Sequence, residues 1–150
     1  MKTNIIMKFD RGMPSGTAQQ KGETIKYRRN NAGKLVPYIK HYQRGNVKTA
    51  STLFSYQLKK YAPKKPIEGP VRLTMIFYFD IKSPKKLWGT YKTTRPDVDN
   101  FYKQIADEMT SCGYWCDDSQ VVDLHLTKYY AEKAEIHVTI EELKGGLNDK

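Results

Sequence analysis

Polar and apolar residues alternate with a period of two over five stretches of the chain and follow a helical period over two more. Residues 3–9 (TNIIMKF) read as a strand, and Thr24–Arg29 sets Ile25 and Tyr27 against Lys26 and Arg28. In Val71–Asp80 the residues Val71, Leu73, Met75, Phe77 and Phe79 share one face, and Ile76 and Tyr78 make the other partly apolar. That pattern predicts a central strand, apolar on both sides. Gln120–Tyr129, with Val122, Leu124 and Leu126 on one face, and Ala134–Ile140 are expected to pair as an antiparallel hairpin turning at residues 131–133. Residues 47–61 carry Ala50, Leu53, Phe54, Gln57, Leu58 and Tyr61 at helical spacing, with Pro63 beyond the end. From Asn100 onward Phe101, Ile105 and Met109 fall at i, i+4 and i+8, and Gly113 is placed to end that helix.

Arg11–Glu23 is rich in glycine and proline and reads as a loop, residues 62–70 (APKKPIEGP) as a connector, and residues 144–150 as a tail. The order β, β, α, β, α, β, β predicts an α/β (α+β) fold: a mixed or antiparallel sheet with two helices packed on it, one domain over residues 1–143.

Charge changes the picture more than size does. Among 150 residues, 26 Lys and Arg stand against 16 Asp and Glu, a formal charge of +10, which favours a polyanionic partner. No apolar run reaches membrane-spanning length and Met1–Phe9 is too short and interrupted for a secretory signal, so the expected compartment is the cytoplasm, with no membrane partner. Cys112 and Cys116 form C-x₃-C, which is not a zinc-ribbon spacing; with His125 and His137 they make a minor zinc alternative beside plain reduced thiols.

The acids are not scattered. Arg95-Pro96-Asp97-Val98-Asp99-Asn100 puts two carboxylates two residues apart, Lys103 follows one turn into the helix, and Asp117-Asp118 comes soon after. If the chain stays extended through Asp99, Asp97 and Asp99 point to one side, with Asp99 as the helix N-cap. Two hard oxygen ligands facing one way suit Mg²⁺ or Mn²⁺. The helix is about 20 Å long and the five steps after Gly113 span about 17 Å, so a chain turning back there brings Asp118 toward the helix start. Taken singly, each acid also reads as a cap or a solvated turn residue, and Lys103 as a solvated lysine. Together, in so basic a chain, they point to a divalent-metal nuclease. Residues 26–48 interleave Lys26, Arg28, Arg29, Lys34, Lys40, Arg44 and Lys48 with Tyr27, Tyr38 and Tyr42, and residues 82–92 carry Lys82, Lys85, Lys86 and Lys92 with Trp88 and Tyr91. In the first stretch basic side chains neutralise phosphates and tyrosines stack on unpaired bases, and the second reads as a basic flap, so both are expected to face DNA.

The run RPDVDN, then Lys103, Gly113 and DDSQVVDLHLTK, resembles the RusA family of Holliday junction resolvases, with matching motif spacing over roughly residues 70 to 142 and a looser match over residues 1 to 65. The resemblance implies a homodimeric, Mg²⁺-dependent endonuclease that nicks two strands of a four-way DNA junction, with no small-molecule cofactor. It implies Asp97, Asp99 and Asp118 as metal carboxylates, Lys103 as the catalytic lysine, Asn100 as a supporting residue and Asp117 as an acidic neighbour. Some members carry a DNA-binding basic residue directly before the first aspartate; here Pro96 stands there, with Arg95 one step earlier. Two other readings stay open on residues alone: a nuclease for flaps or other branched DNA or RNA, and a non-catalytic module that binds branched nucleic acid.

Overall fold

The core is built on one strand, β4 (Val71–Asp80), in which Val71, Leu73, Met75 and Phe77 are fully buried and alternate with half-exposed residues. The computed structural model that shows this describes residues 1–14, 21–43 and 45–148. β4 lies between β5 (Val121–Ala131), which runs parallel to it, and β6 (Ala134–Glu142), which runs antiparallel; β1 (Lys2–Phe9) pairs antiparallel with β6 on the outer side. The sheet is therefore mixed, in the order β1-β6-β4-β5.

The expected hairpin between the last two strands does not form. β5 and β6 are antiparallel and joined by a short turn, yet β4 sits between them. The physical reason lies in the side chains: β4 fills one face with large apolar groups, whereas Val122 and Leu124 on β5 stay exposed at 63% and 40%. The strand with the most to bury takes the central slot, and β5 becomes an edge.

Two helices cover one face of the sheet. α1 (Gly45–Lys59) buries Ala50, Phe54 and Leu58, and α2 (Val98–Ser111) buries Phe101, Ile105 and Met109. Each large apolar side chain fully buried contributes about 1.5–3 kcal/mol relative to exposure. Phe101 is the hub: its ring meets Phe54 at 5.9 Å, Phe77 at 5.0 Å and Phe79 at 5.0 Å, the first two edge-to-face. This packing fixes the first turn of α2 against β4, and the acidic motif lies on that turn.

The chain also forms a strand that periodicity missed. β2 (Lys21–Arg29) pairs antiparallel with β3 (Leu35–Gln43) as a separate two-stranded ribbon. The expected loop over residues 11–23 accordingly ends earlier, with Lys21–Glu23 in β2; residues 15–20 and Arg44 lie outside the described residues. The turn between the strands is held by Asn30, whose side-chain oxygen accepts from the backbone N–H of Ala32 and Lys34, and by Gly33 at φ +76°. Ile25, Tyr27, Leu35 and Ile39 lie on one face of the ribbon, each more than half exposed. Among the described residues no helix is long and apolar enough to cross a membrane.

Candidate metal and nucleic-acid site

The segment that carries the acidic motif is pinned to the free edge of β5. The loop leaving β4 is closed by the Trp88 indole N–H, which donates to the carbonyl of Ile81 at 2.8 Å, and by Gly89 N–H to Tyr130 O at 2.8 Å. Lys92 N–H then donates to Lys128 O at 3.0 Å. The Lys128 ammonium turns inward and donates to the carbonyls of Thr94 and Pro96, both at 2.7 Å. One β5 side chain thus holds the two residues that deliver the chain to Asp97. Burial, and then the nearby Lys92, push the Lys128 ammonium below its usual pKa, while Asp97 pulls the other way.

Helix α2 begins at Val98, earlier than expected. Asp97 is the residue before the helix, with extended backbone, and its carbonyl accepts from Phe101 N–H at 3.0 Å. Asp99 lies in the first turn and is not the cap, so the two carboxylates do not share an extended face. The reason is that this hydrogen bond closes the first turn from Asp97, which draws Val98 and Asp99 into the helix. The Asp97 side chain makes no capping hydrogen bond. Asp97, Asp99 and Lys103 are exposed and Asn100 is half-buried. Asp99 and Lys103 are one turn apart on the outer face of α2.

The second acidic pair is delivered by a reversal after α2. Gly113, at φ +81°, ends the helix: its N–H reaches Thr110 O and Tyr114 N–H reaches Met109 O. Those bonds make a Schellman cap. The returning chain is fastened by Tyr114, whose buried hydroxyl donates to Leu58 O at 2.6 Å, and by the Trp115 indole N–H to Thr110 Oγ1 at 2.8 Å. Burial raises the Tyr114 phenol well above its usual range, so it stays a donor.

Asp117 and Asp118 then separate into different tasks. The Asp117 carboxylate accepts from Ser119 N–H at 2.7 Å, and the Gln120 amide oxygen accepts from Cys116 and Asp117 N–H. This is a capping box on the short 3-10 turn Asp118–Gln120. The hydrogen bond to Ser119 holds the Asp117 carboxyl below the usual carboxylate range. The Gln120 amide also donates to Ile67 O and Gly69 O, tying the turn to the start of β4. Asp117 is thus occupied in structure, and Asp118 is exposed beside α2. Burial raises the Tyr102 phenol, and Asp118 is near enough to raise it further, followed by Asp107. The reversal brings the short turn that carries Asp118 into contact with α2.

Among the described residues no three His, Cys, Asp or Glu side chains stand close enough together to hold a metal ion by themselves. The donor chemistry nevertheless fits a hard cation. Asp97, Asp99 and Asp118 are exposed carboxylates. Mg²⁺ commonly takes one or two carboxylates, completes its shell with water and substrate phosphate, and needs no protein cage.

Of the basic residues, Lys26, Arg28 and Arg29 lie on β2, and Lys82, Lys85, Lys86 and Arg95 are exposed on the segment before Asp97. Arg28 stacks over Tyr38 at 5.6 Å, and Arg29 donates to Gly33 O at 2.8 Å. Lys92 is less free, donating to Thr94 Oγ1 at 2.6 Å and lying over the Tyr130 ring at 4.8 Å. Sequence reasoning missed Lys128 as a site residue. It also passed over the signal for Asp117, since D-D-S-Q at residues 117–120 is a capping-box spelling.

A family model described as "Endodeoxyribonuclease RusA" matches residues 14–141. The chain is 37% identical over 145 residues to a protein of Lactococcus phage r1t named "Crossover junction endodeoxyribonuclease rusA", covering 95% of this chain and all of that one. It is 40% identical over 50 residues to the "Crossover junction endodeoxyribonuclease RusA" of Escherichia coli, covering 33% of this chain and 42% of that one.

Proposed function

Since the chain belongs to the RusA family of endodeoxyribonucleases, we propose that it resolves four-way DNA junctions by paired nicks, hydrolysing phosphodiesters at a site made by Asp97, Asp99, Asp118 and Lys103. The observation that supports this reading is that exposed acids stand on two separate segments, the start of α2 and the short turn in contact with that helix, within a chain of charge +10. Exposed carboxylates repel phosphate unless a cation intervenes, so their presence on a DNA-binding surface calls for one.

Asp97, Asp99 and Asp118 would hold the cation, Mg²⁺ with Mn²⁺ as a substitute. When bound it supplies activation of water and stabilisation of charge on the attacked phosphate. The chain's own groups do the rest. Lys103 lies one turn from Asp99 and neutralises phosphate charge as it builds in the transition state. The free N–H groups of the first turn of α2 add positive potential around Asn100. Lys128 keeps residues 94–96 in place, and so fixes where Asp97 stands. The β2–β3 ribbon, with Lys26, Arg28 and Arg29, and the segment with Lys82, Lys85, Lys86, Lys92 and Arg95 hold the DNA arms.

A four-way junction has two equivalent strands to cut, so we place two copies of the chain on it, one site each, as a homodimer. Residues 1–143 act as one nuclease domain with a short tail, in the cytoplasm, where the DNA is.

Chelating divalent cations abolishes cutting of a synthetic junction, Mg²⁺ or Mn²⁺ restores it, and gel-shift binding persists without metal. Cutting that survives chelation would remove the metal from this account. Lys103→Ala lowers the single-turnover rate on the order of tenfold, about 1.4 kcal/mol of barrier, with junction affinity changed much less. An unchanged rate would take Lys103 out of the mechanism.

A further inference from the structure

Tyr91 stands on the other face of the same sheet edge and takes no part in the hydrolysis described so far. Residues 90–92 add to the free edge of β5: Tyr130 N–H donates to Thr90 O, Lys92 N–H donates to Lys128 O, and Tyr91 pairs with Tyr129. Side chains alternate along such an edge. Lys92 lies over the Tyr130 ring on the side of Lys128 and Thr94, and Tyr91 points the other way. There its ring stacks on Tyr129 at 5.1 Å with planes 19° apart, and Tyr129 stacks on Tyr78 at 5.8 Å and 20°. Tyr91 ends this column and is 69% exposed.

A large aromatic ring held flat by a stack beneath it, with its outer side open, differs from an ordinary mobile surface tyrosine. It is a preformed surface for another flat ring, and every nucleobase has one. The charge around it agrees: Lys82, Lys85 and Lys86 are exposed on the same loop, and Asp97 follows on the same strand of chain. We propose that Tyr91 is a stacking platform for a nucleobase freed from pairing at the branch point of the DNA substrate. This inference rests on the junction reading above. A strand crossing the edge of β5 sets its phosphate on the Lys128 and Asp97 side and lays the adjoining base on Tyr91. Intact duplex keeps its bases paired and offers none, so the contact distinguishes branched DNA from linear DNA.

The test uses the full chain, without divalent metal so that no cutting occurs, and four-way junctions carrying 5-iodouracil either at the branch point or in the middle of an arm. Ultraviolet irradiation of the branch-point junction is expected to crosslink to Tyr91, and the arm probe is not. Tyr91→Ala weakens junction binding on the order of tenfold and leaves linear-duplex affinity unchanged, whereas Tyr91→Phe keeps both the affinity and the crosslink. Tyr91 is exposed, and an unchanged melting curve for the alanine variant confirms that its fold is intact. Wild-type junction binding by Tyr91→Ala, or crosslinking to Tyr91 from the arm alone, overturns the platform and leaves the resolvase reading standing. A wild-type protein that neither binds nor cuts the junction overturns both.

Discussion

Asp97→Asn, Asp99→Asn and Asp118→Asn each lower junction cutting by about a thousandfold or more and leave junction binding equal to wild type or tighter. A thousandfold is about 4 kcal/mol of transition-state stabilisation, the scale expected when a charged metal ligand is lost. Asparagine keeps the shape and removes the charge. Binding survives because the substitution removes repulsion between carboxylate and phosphate. The same substitution separates catalysis from structure. If Asp97 or Asp99 served only to start α2, asparagine would replace either with little effect, since it caps helices as well as aspartate does. The Asp97 side chain caps nothing, so its loss leaves the helix start intact. Melting curves and gel shifts measured beside the cleavage rate check each part. Cutting and binding that fall together would mark these residues as structural.

Lys128→Met lowers the cutting rate by about 10- to 100-fold and raises the Mg²⁺ concentration needed for half-maximal rate, with junction affinity within a few fold of wild type. The magnitude is that of groups that orient metal ligands without touching the metal. Methionine keeps the unbranched stem and removes the ammonium that holds Thr94 O and Pro96 O. Those carbonyls sit at or near the surface and turn to water, so residues 94–96 loosen and Asp97 loses its fixed position while the core is untouched. Lysine charge in general attracts DNA, but loss of that attraction moves affinity and salt dependence, not the metal requirement. A variant with normal metal dependence and weakened DNA binding would make Lys128 a phosphate contact instead.

The parts of this fold that bury a face were legible. β4 and the apolar stripe of α2 show their periods because Phe77, Phe101, Ile105 and Met109 are nearly or wholly inaccessible to solvent. β3 was not legible. Leu35–Gln43 includes Pro37, which argues against a central strand, and in a ribbon with exposed large apolar residues there is little contrast between inside and outside. The pairing of β5 with β6 was misread because alternation fixes the face of a strand and not its neighbour. The acidic motif stood out as residue types, yet the residue that starts the helix was set by the Phe101 hydrogen bond to Asp97 O. Lys128 could not be found by pattern, since its partners are carbonyls more than thirty positions away.

The most direct test of the central claim is cleavage with Mg²⁺ of a labelled four-way junction beside linear duplex, single strand and flap DNA of the same sequence. The account predicts paired, symmetric nicks in the junction and none in the other substrates. Equal cutting of every substrate would contradict junction resolution and leave a general metal-dependent nuclease, and tight junction binding without cutting under Mg²⁺ or Mn²⁺ would contradict the enzyme itself.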